Sequence, residues 1–375
     1  MVNSCWNYYD NLGGNILREK ELCNGKSMSI SSLPSKNFPF IEKRNEKRQT
    51  ITFNKPIYVI GRMSVVGEKE GKGPLKDYFN VVIADDKMNE KCFEKAETDI
   101  LQLAISGAIK NANLTEKEID CIIGGDLLNQ ITSSAYVARE YNSVFLGLYS
   151  ACSTMTESLA IGAMILDSDY FNTVLCSTVS HFATAERQFR YPLEYGCQRP
   201  PYAQWTVTGA GSLILSREGK GIKITNATIG KVIDFGVSDL NNMGAAMAPA
   251  AMNTMLAMFN DTKTAPSDYD LIVTGDLGKL GSDIVRDLMR EKGYVLGQNY
   301  TDCGCLIYDS TQKCYQGGSG AGCSASVIAS FILEKMEKGE YNKVAYLATG
   351  ALMNSQSCYQ GETIPCISHA IIFER

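Results

Sequence analysis

The chain has 375 residues, 45% of them apolar and 21% charged, with a net charge of −5. That profile belongs to a globular chain with room for one large domain or two fused halves. The acidic balance, with no basic stripe, excludes a nucleic-acid surface, and no apolar run reaches the roughly 18 residues a bilayer span needs.

Residues 1–48 are rich in Asn, Ser, Lys and Glu and show no apolar periodicity. They read as a flexible extension, or as a docking arm that would lean on Trp6, Tyr8 and Tyr9. The start lacks the charged-then-apolar layout of a signal peptide, so the chain is expected to stay in the compartment where it is made. From Pro56 onward strands and helices alternate. Strand-like runs cover Ile57–Gly61, Ile119–Ile123, Val144–Tyr149, Thr173–Val179 and Gly211–Ser216. Further runs cover Ile222–Ile229, Asp270–Thr274, Val344–Thr349 and Ala370–Phe373. Between them lie helical patterns such as 95–110, with Ile100, Ala104 and Ala108 on one face. This alternation predicts a layered α/β fold with mostly parallel sheets.

The segment around Cys152 is the most informative. Val144, Phe145, Leu146 and Leu148 predict a buried strand, and Leu159, Ala163, Met164 and Leu166 predict a helix capped by Thr154 and Glu157. The thiol is expected to be exposed at the helix tip. Unpaired N–H groups and the helix dipole there favour a thiolate, or alternatively an anion pocket. The other cysteines of the thirteen are scattered, many within apolar runs, and Cys303 and Cys305 lack zinc-ligand spacing. They imply a reducing compartment, with no disulfide framework and no structural metal.

The chain also echoes itself. Asp120–Leu127 (DCIIGGDL) returns as Asp270–Leu277 (DLIVTGDL), the stretch from Ala151 returns from Gly322, and Asn172–Leu175 returns as Asn342–Ala345. Two halves of one ancestral unit, 50–218 and 220–375, are therefore expected to join near Gly219–Gly221. Packed together, they would set Asp126 with Asp276, and Cys152 with Cys323, around a shared cleft.

A cysteine elbow in a duplicated α/β layout resembles the thiolase and β-ketoacyl synthase superfamily. Within it, the chain is similar to the stage V sporulation protein AD family. The likeness rests on GGDLLNQ (124–130), YSACSTMTES (149–158), SHFATAERQFRYPLEYGCQRP (180–200) and TVTGAGSLILS (206–216). It continues through NNMGAAMAPAA (241–251), TGDLGKLGS (274–282), DCGCLIY (302–308), GGSGAGCSA (317–325) and IPCISHAIIFER (364–375). It covers roughly residue 50 to the end. The resemblance implies a thiolase-like duplicated fold of two similar βαβαβαββ halves, a symmetric homodimer and no cofactor. It also implies binding of dipicolinic acid, alone or as its calcium chelate, with roles in uptake into the developing spore and release on germination. Membrane proteins of the same stage V sporulation operon would be the partners, with the chain peripheral on the cytoplasmic side of the spore inner membrane.

Thiolase chemistry needs histidines beside the cysteine, yet the chain has only His181 and His369. Gly275 and Asp276 fall where a synthase-type histidine is expected, and none lies between Gly317 and Ala325. Cys366 matches the second reactive cysteine of thiolases, but a strand should turn it away from His369. The sequence therefore predicts a protein without thiolase catalysis; the alternative is acyl transfer on Cys152 with His181 as base.

The stretch from Ser180 to Trp205 is read as a loop placing His181, Arg187, Arg190 and Arg199 among aromatic residues, with Pro192, Pro200 and Pro201 stiffening it. Guanidinium forks and flat apolar walls suit a planar aromatic dianion. An interface loop with surface arginines is the other reading. Asp126, Asn129 and Asp276 could help hold a calcium chelate, or each aspartate could cap the helix that follows it. The glycine-rich run near Gly317–Ala325 lacks phosphate-loop order and is expected to allow close backbone approach.

Overall fold

A computed structural model describes residues 48–189 and 199–375. The first 47 residues, with Trp6, Tyr8 and Tyr9, lie outside the described residues, as do Arg190, Tyr191, Pro192 and Tyr195. From Arg48 onward the described residues form one compact unit.

The strands are β1 (Thr50–Val66), β2 (Val81–Val82), β3 (Cys121–Asp126), β4 (Val144–Gly147), β5 (Thr173–Ser180), β6 (Trp205–Thr206) and β7 (Gly209–Ser216). They continue with β8 (Lys223–Thr228), β9 (Leu271–Thr274), β10 (Tyr300–Asp302), β11 (Gly318–Ser319), β12 (Lys343–Ala351) and β13 (Cys366–Glu374). Eleven strands make one sheet in the order β10-β9-β12-β13-β8-β1-β7-β5-β3-β4, with β2 beside β1, and β6 pairs with β11. The echoed segments take equivalent places: β3 lies between β4 and β5, and β9 lies between β10 and β12.

The expectation of mostly parallel pairing needs correction. The flanks are parallel, but β5–β7–β1–β8–β13–β12 run antiparallel, each to the next. The long β1 lies between β7 and β8 and runs opposite to both, so the two parallel flanks meet across an antiparallel centre.

The helices are α1 (Phe93–Asn111), α2 (Thr132–Ala138), α3 (Thr154–Asp167), α4 (Phe182–Phe189) and α5 (Met243–Thr262). They are followed by α6 (Gly278–Glu291), α7 (Cys303–Ile307), α8 (Ala321–Val327), α9 (Leu333–Glu337) and α10 (Ser355–Tyr359). A π-turn at Ile328–Ile332 joins α8 to α9, and Arg62 Nη1 donates to its Ala329 carbonyl at 2.9 Å.

Alternate strand residues serve different cores. Val174 and Cys176 of β5, with Val344 and Tyr346 of β12, pack in a core built round α3, α8 and α9. Their neighbours turn the other way: Leu175 packs with α1, and Ala345 and Leu347 pack with α5. Both faces of β5 and β12 are covered, which explains why these strands read as nearly unbroken apolar runs. The two central helices carry Cys152 and Cys323 at or near their N-terminal ends.

Candidate functional site at the Cys152 elbow

Strand β4 ends at Gly147, and the chain bends so that Ala151 takes a left-handed φ of 48°. A non-glycine residue held there costs on the order of 1 kcal/mol or more, so the surroundings must hold the turn. They do. The Thr154 hydroxyl donates to the Ala151 carbonyl at 2.7 Å, and the Ser153 hydroxyl donates to the Ser150 carbonyl at 2.8 Å. Gly350 of β12 is required opposite: a Cβ there would sit 1.8 Å from the Ser150 carbonyl oxygen. Thr154 therefore ties the turn together from the first residue of α3, and the expected capping box with Glu157 is not formed.

Cys152 sits in this turn against a cavity of about 40 Å³. Leu127, Tyr149, Phe189, Met243, Met247 and Met353 give the cavity its apolar walls, and Thr206, Ser319 and Gly320 give it polar edges. The thiol is 6% exposed rather than open at a helix tip. Burial, and then the neighbouring Asp276 carboxyl, push it well above the usual cysteine range. The expectation of a thiolate favoured by the helix end is thus overturned, because desolvation outweighs the dipole. The Ser319 hydroxyl is a weak hydrogen-bonding neighbour, its oxygen 3.9 Å from Sγ.

Asp276 is fully buried. One carboxyl oxygen accepts from Thr349 N at 3.3 Å, and the other has no partner of hydrogen-bonding geometry. It acts on the Cys152 thiol chiefly through its charge. Burial and Asp302 hold Asp276 well above the usual carboxylate range. It does not cap the helix that follows; Asp302 does, accepting from Leu277 N and Gly278 N at 3.0 Å each. Asp126 is the aspartate that caps, accepting from Ser133 N at 2.7 Å and Ser134 N at 2.9 Å at the start of α2.

Neither histidine lines the cavity. His181 is locked into the backbone: its Nδ1 accepts from Ala183 N at 3.1 Å and its Nε2 donates to the Asp86 carbonyl at 2.8 Å. His369 accepts from Gly230 N on Nδ1 and turns Nε2 to the Ser150 hydroxyl at 3.4 Å. Burial lowers both, His369 to about 4. Cys366 is fully buried on β13, its Sγ donating to the Ile364 carbonyl at 3.5 Å, and burial raises it to about 12.

The expected arginine loop begins as a helix, α4, and its described arginines, Arg187 and Arg199, are already engaged. Arg187 pairs with Glu94 at the surface. Arg199 pairs with Glu186 at 2.8 Å and lies over the Trp205 ring at 5.0 Å, while Phe182 stacks on that ring at 3.9 Å. Asn129 is exposed. Of the expected ligand residues that are described, only Cys152 lines this cavity. The unforeseen lining residues Met243 and Met247 are four apart at the start of α5, a helical spacing visible in NNMGAAMAP. Phe189 ends α4, and Arg190 follows it in the chain.

A cysteine elbow between β4 and α3, on a large mixed sheet whose echoed strands take equivalent places, defines a thiolase-like fold. Three solved structures share this fold. They are 3-oxoacyl-[acyl-carrier-protein] synthase III from Aquifex aeolicus VF5 (TM-score 0.53, 12% identity, 85% of this chain and 100% of that one), a point variant of Xanthomonas campestris OleA (0.56, 11%, 86% and 97%), and human mitochondrial 3-ketoacyl-CoA thiolase in complex with CoA (0.52, 12%, 87% and 99%). The chain belongs to the stage V sporulation protein AD family, whose model matches residues 47–374. It is 44% identical over 328 residues to stage V sporulation protein AD of Bacillus subtilis (strain 168), a match that spans 88% of this chain and 97% of that protein. Among the described residues no helix is long and apolar enough to cross a membrane.

Proposed function

We propose that this sporulation protein binds dipicolinic acid in the cavity beside Cys152 and performs no acyl transfer there. One observation carries the reading: the thiol at the elbow is buried against a carboxyl, and the cavity wall holds no imidazole to take its proton. Losing a general base costs about 10²- to 10⁴-fold in rate, so a fold that retains the elbow without one is suited to holding a guest. Apolar walls suit a planar ring, and three methionines let a narrow cavity widen as the guest enters. A guanidinium for its carboxylates would come from the stretch that carries Arg187, Arg190 and Arg199, of which Arg187 and Arg199 have carboxylate partners.

On the same reading, the protein works with membrane proteins of its operon in moving the acid into the spore and releasing it on germination, from the cytoplasmic side. It does so as a homodimer. Its interface is assigned to β4, a sheet edge on which Val144 and Leu146 are 54% and 41% exposed; unpaired edge strands of this kind pair readily with a second copy.

Titration of the full chain with dipicolinate and its positional isomers, with and without calcium, tests the proposal. Saturable binding selective for the 2,6-isomer is expected. Incubation with acyl-CoAs followed by mass analysis is expected to leave Cys152 unmodified, and an acylated Cys152 peptide would contradict the proposal.

A further inference from the structure

Behind the elbow lies a second cavity, of about 260 Å³, between α1, α2 and α4. It backs onto the first through two short segments. Leu127 and Ala185 face the Cys152 cavity, while their chain neighbours Asp126, Leu128 and Thr184 face this one. Its wall carries three carboxyl groups, Glu94, Glu97 and Asp126, and one guanidinium, Arg187.

These groups are not equally satisfied. Asp126 is engaged by Ser133 and Ser134. Arg187 and Glu94 pair with each other at the half-exposed mouth. Glu97 is different: it is 2% exposed, and only one of its oxygens accepts a hydrogen bond, from the Thr184 hydroxyl at 2.9 Å. The other, Oε1, is buried with no hydrogen-bond partner. A buried acceptor left without a donor is destabilising, the more so for a charged group. Burial, then the nearby Asp126 and Glu94, hold Glu97 well above the usual carboxylate range. A donor that brings positive charge would satisfy the oxygen and relieve the repulsion together.

Among the described residues no three His, Cys, Asp or Glu side chains converge as metal ligands. Directional N–H donors on a compact organic cation fit the wall better, with Leu128 available for an alkyl stem. We propose that this cavity is a binding site for an alkylammonium or alkylguanidinium head, held by Glu97 Oε1 with Glu94 and Asp126 as counter-charges.

The probes are n-butylammonium and methylguanidinium, titrated calorimetrically into the full chain in two buffers of different ionisation enthalpy, with urea, sodium and calcium as controls. A basic peptide alongside the free amines distinguishes a partner's side chain from a free small cation as the source. Saturable binding with release of the Glu97 proton is expected. Glu97→Gln should weaken it by about tenfold or more, the loss expected for a charge-assisted bond, and should abolish the proton release. Glu94→Gln at the exposed mouth, where folding is not at stake, should weaken it about threefold, in line with a surface charge contact. No saturable heat with either probe, equal binding of calcium, or full affinity in both variants would overturn the proposal. None of these outcomes depends on dipicolinate binding.

Discussion

The thiol of Cys152 stands 3.9 Å from the hydroxyl of Ser319, a weak partner that leaves burial and Asp276 to control its reactivity. Native Cys152 is therefore expected to react with iodoacetamide at pH 8 at least about tenfold more slowly than a free cysteine. Asp276→Asn removes the competing acid and should move the alkylation profile to lower pH. Peptide mass spectrometry of labelled protein reads both rates. A native rate equal to that of the unfolded chain, or an unmoved profile, would contradict this.

Arg199 and Arg187 separate burial from charge. Arg199 and Glu186 are nearly enclosed, with side-chain exposures of 14% and 8%. Arg199→Ala removes a buried cation from beside Glu186 and strips the Trp205 face, and should cost about 2 kcal/mol or more in urea unfolding. Arg187→Ala breaks an exposed pair and should cost less than about 1 kcal/mol. Equal losses would be inconsistent with the two environments.

Stability should fall above neutrality. Burial lowers His181 and His369, so the unfolded chain binds protons that the native one refuses, and stability rises as pH climbs from about 4 to 6.5. Buried carboxyls act in the opposite sense. Asp126 and Asp302 are raised from 3.8 to about 6, and Glu70 from 4.5 to about 7, so the native state keeps protons the unfolded chain has released. Glu97 and Asp276 are also raised well above the usual range, mainly by burial. Above about pH 6.5 only the carboxyls remain in play. The urea midpoint should therefore drop between pH 6.5 and 8, by the equivalent of about 1 kcal/mol or more. A flat or rising midpoint would contradict the assignment.

The exposed β4 edge makes a prediction about assembly. Leu146→Asp should yield a folded monomer from a dimer by sedimentation velocity, because a charge there opposes strand pairing across the edge. A wild-type chain that sediments as a monomer would remove this interface.

Much of the scaffold was legible. Strands covered on both faces, such as β5 and β12, announce themselves as apolar runs, and the stripe of Ile100, Ala104 and Ala108 marked α1. Strand β4 was misread because apolar residues at a sheet edge look like buried ones. Helix α4 was hidden by prolines that lie beyond its end. The site was less legible, because its chemistry comes from contacts far apart in the chain: Asp276 beside Cys152 reverses what a local helix-end argument predicts. Glu97 did leave a signal. It stands three residues before Ile100 and four before Leu101, a carboxyl on the apolar stripe of its own helix.

The most direct measurement is a calorimetric titration of dipicolinate into the full chain and into a variant whose Cys152 cavity is filled, Ala185→Phe. The wild-type chain is expected to show one saturable binding event, and the filled variant, with its fold verified by circular dichroism, none. Equal binding by both proteins, or no binding by either, would contradict the assignment of the guest to the Cys152 cavity.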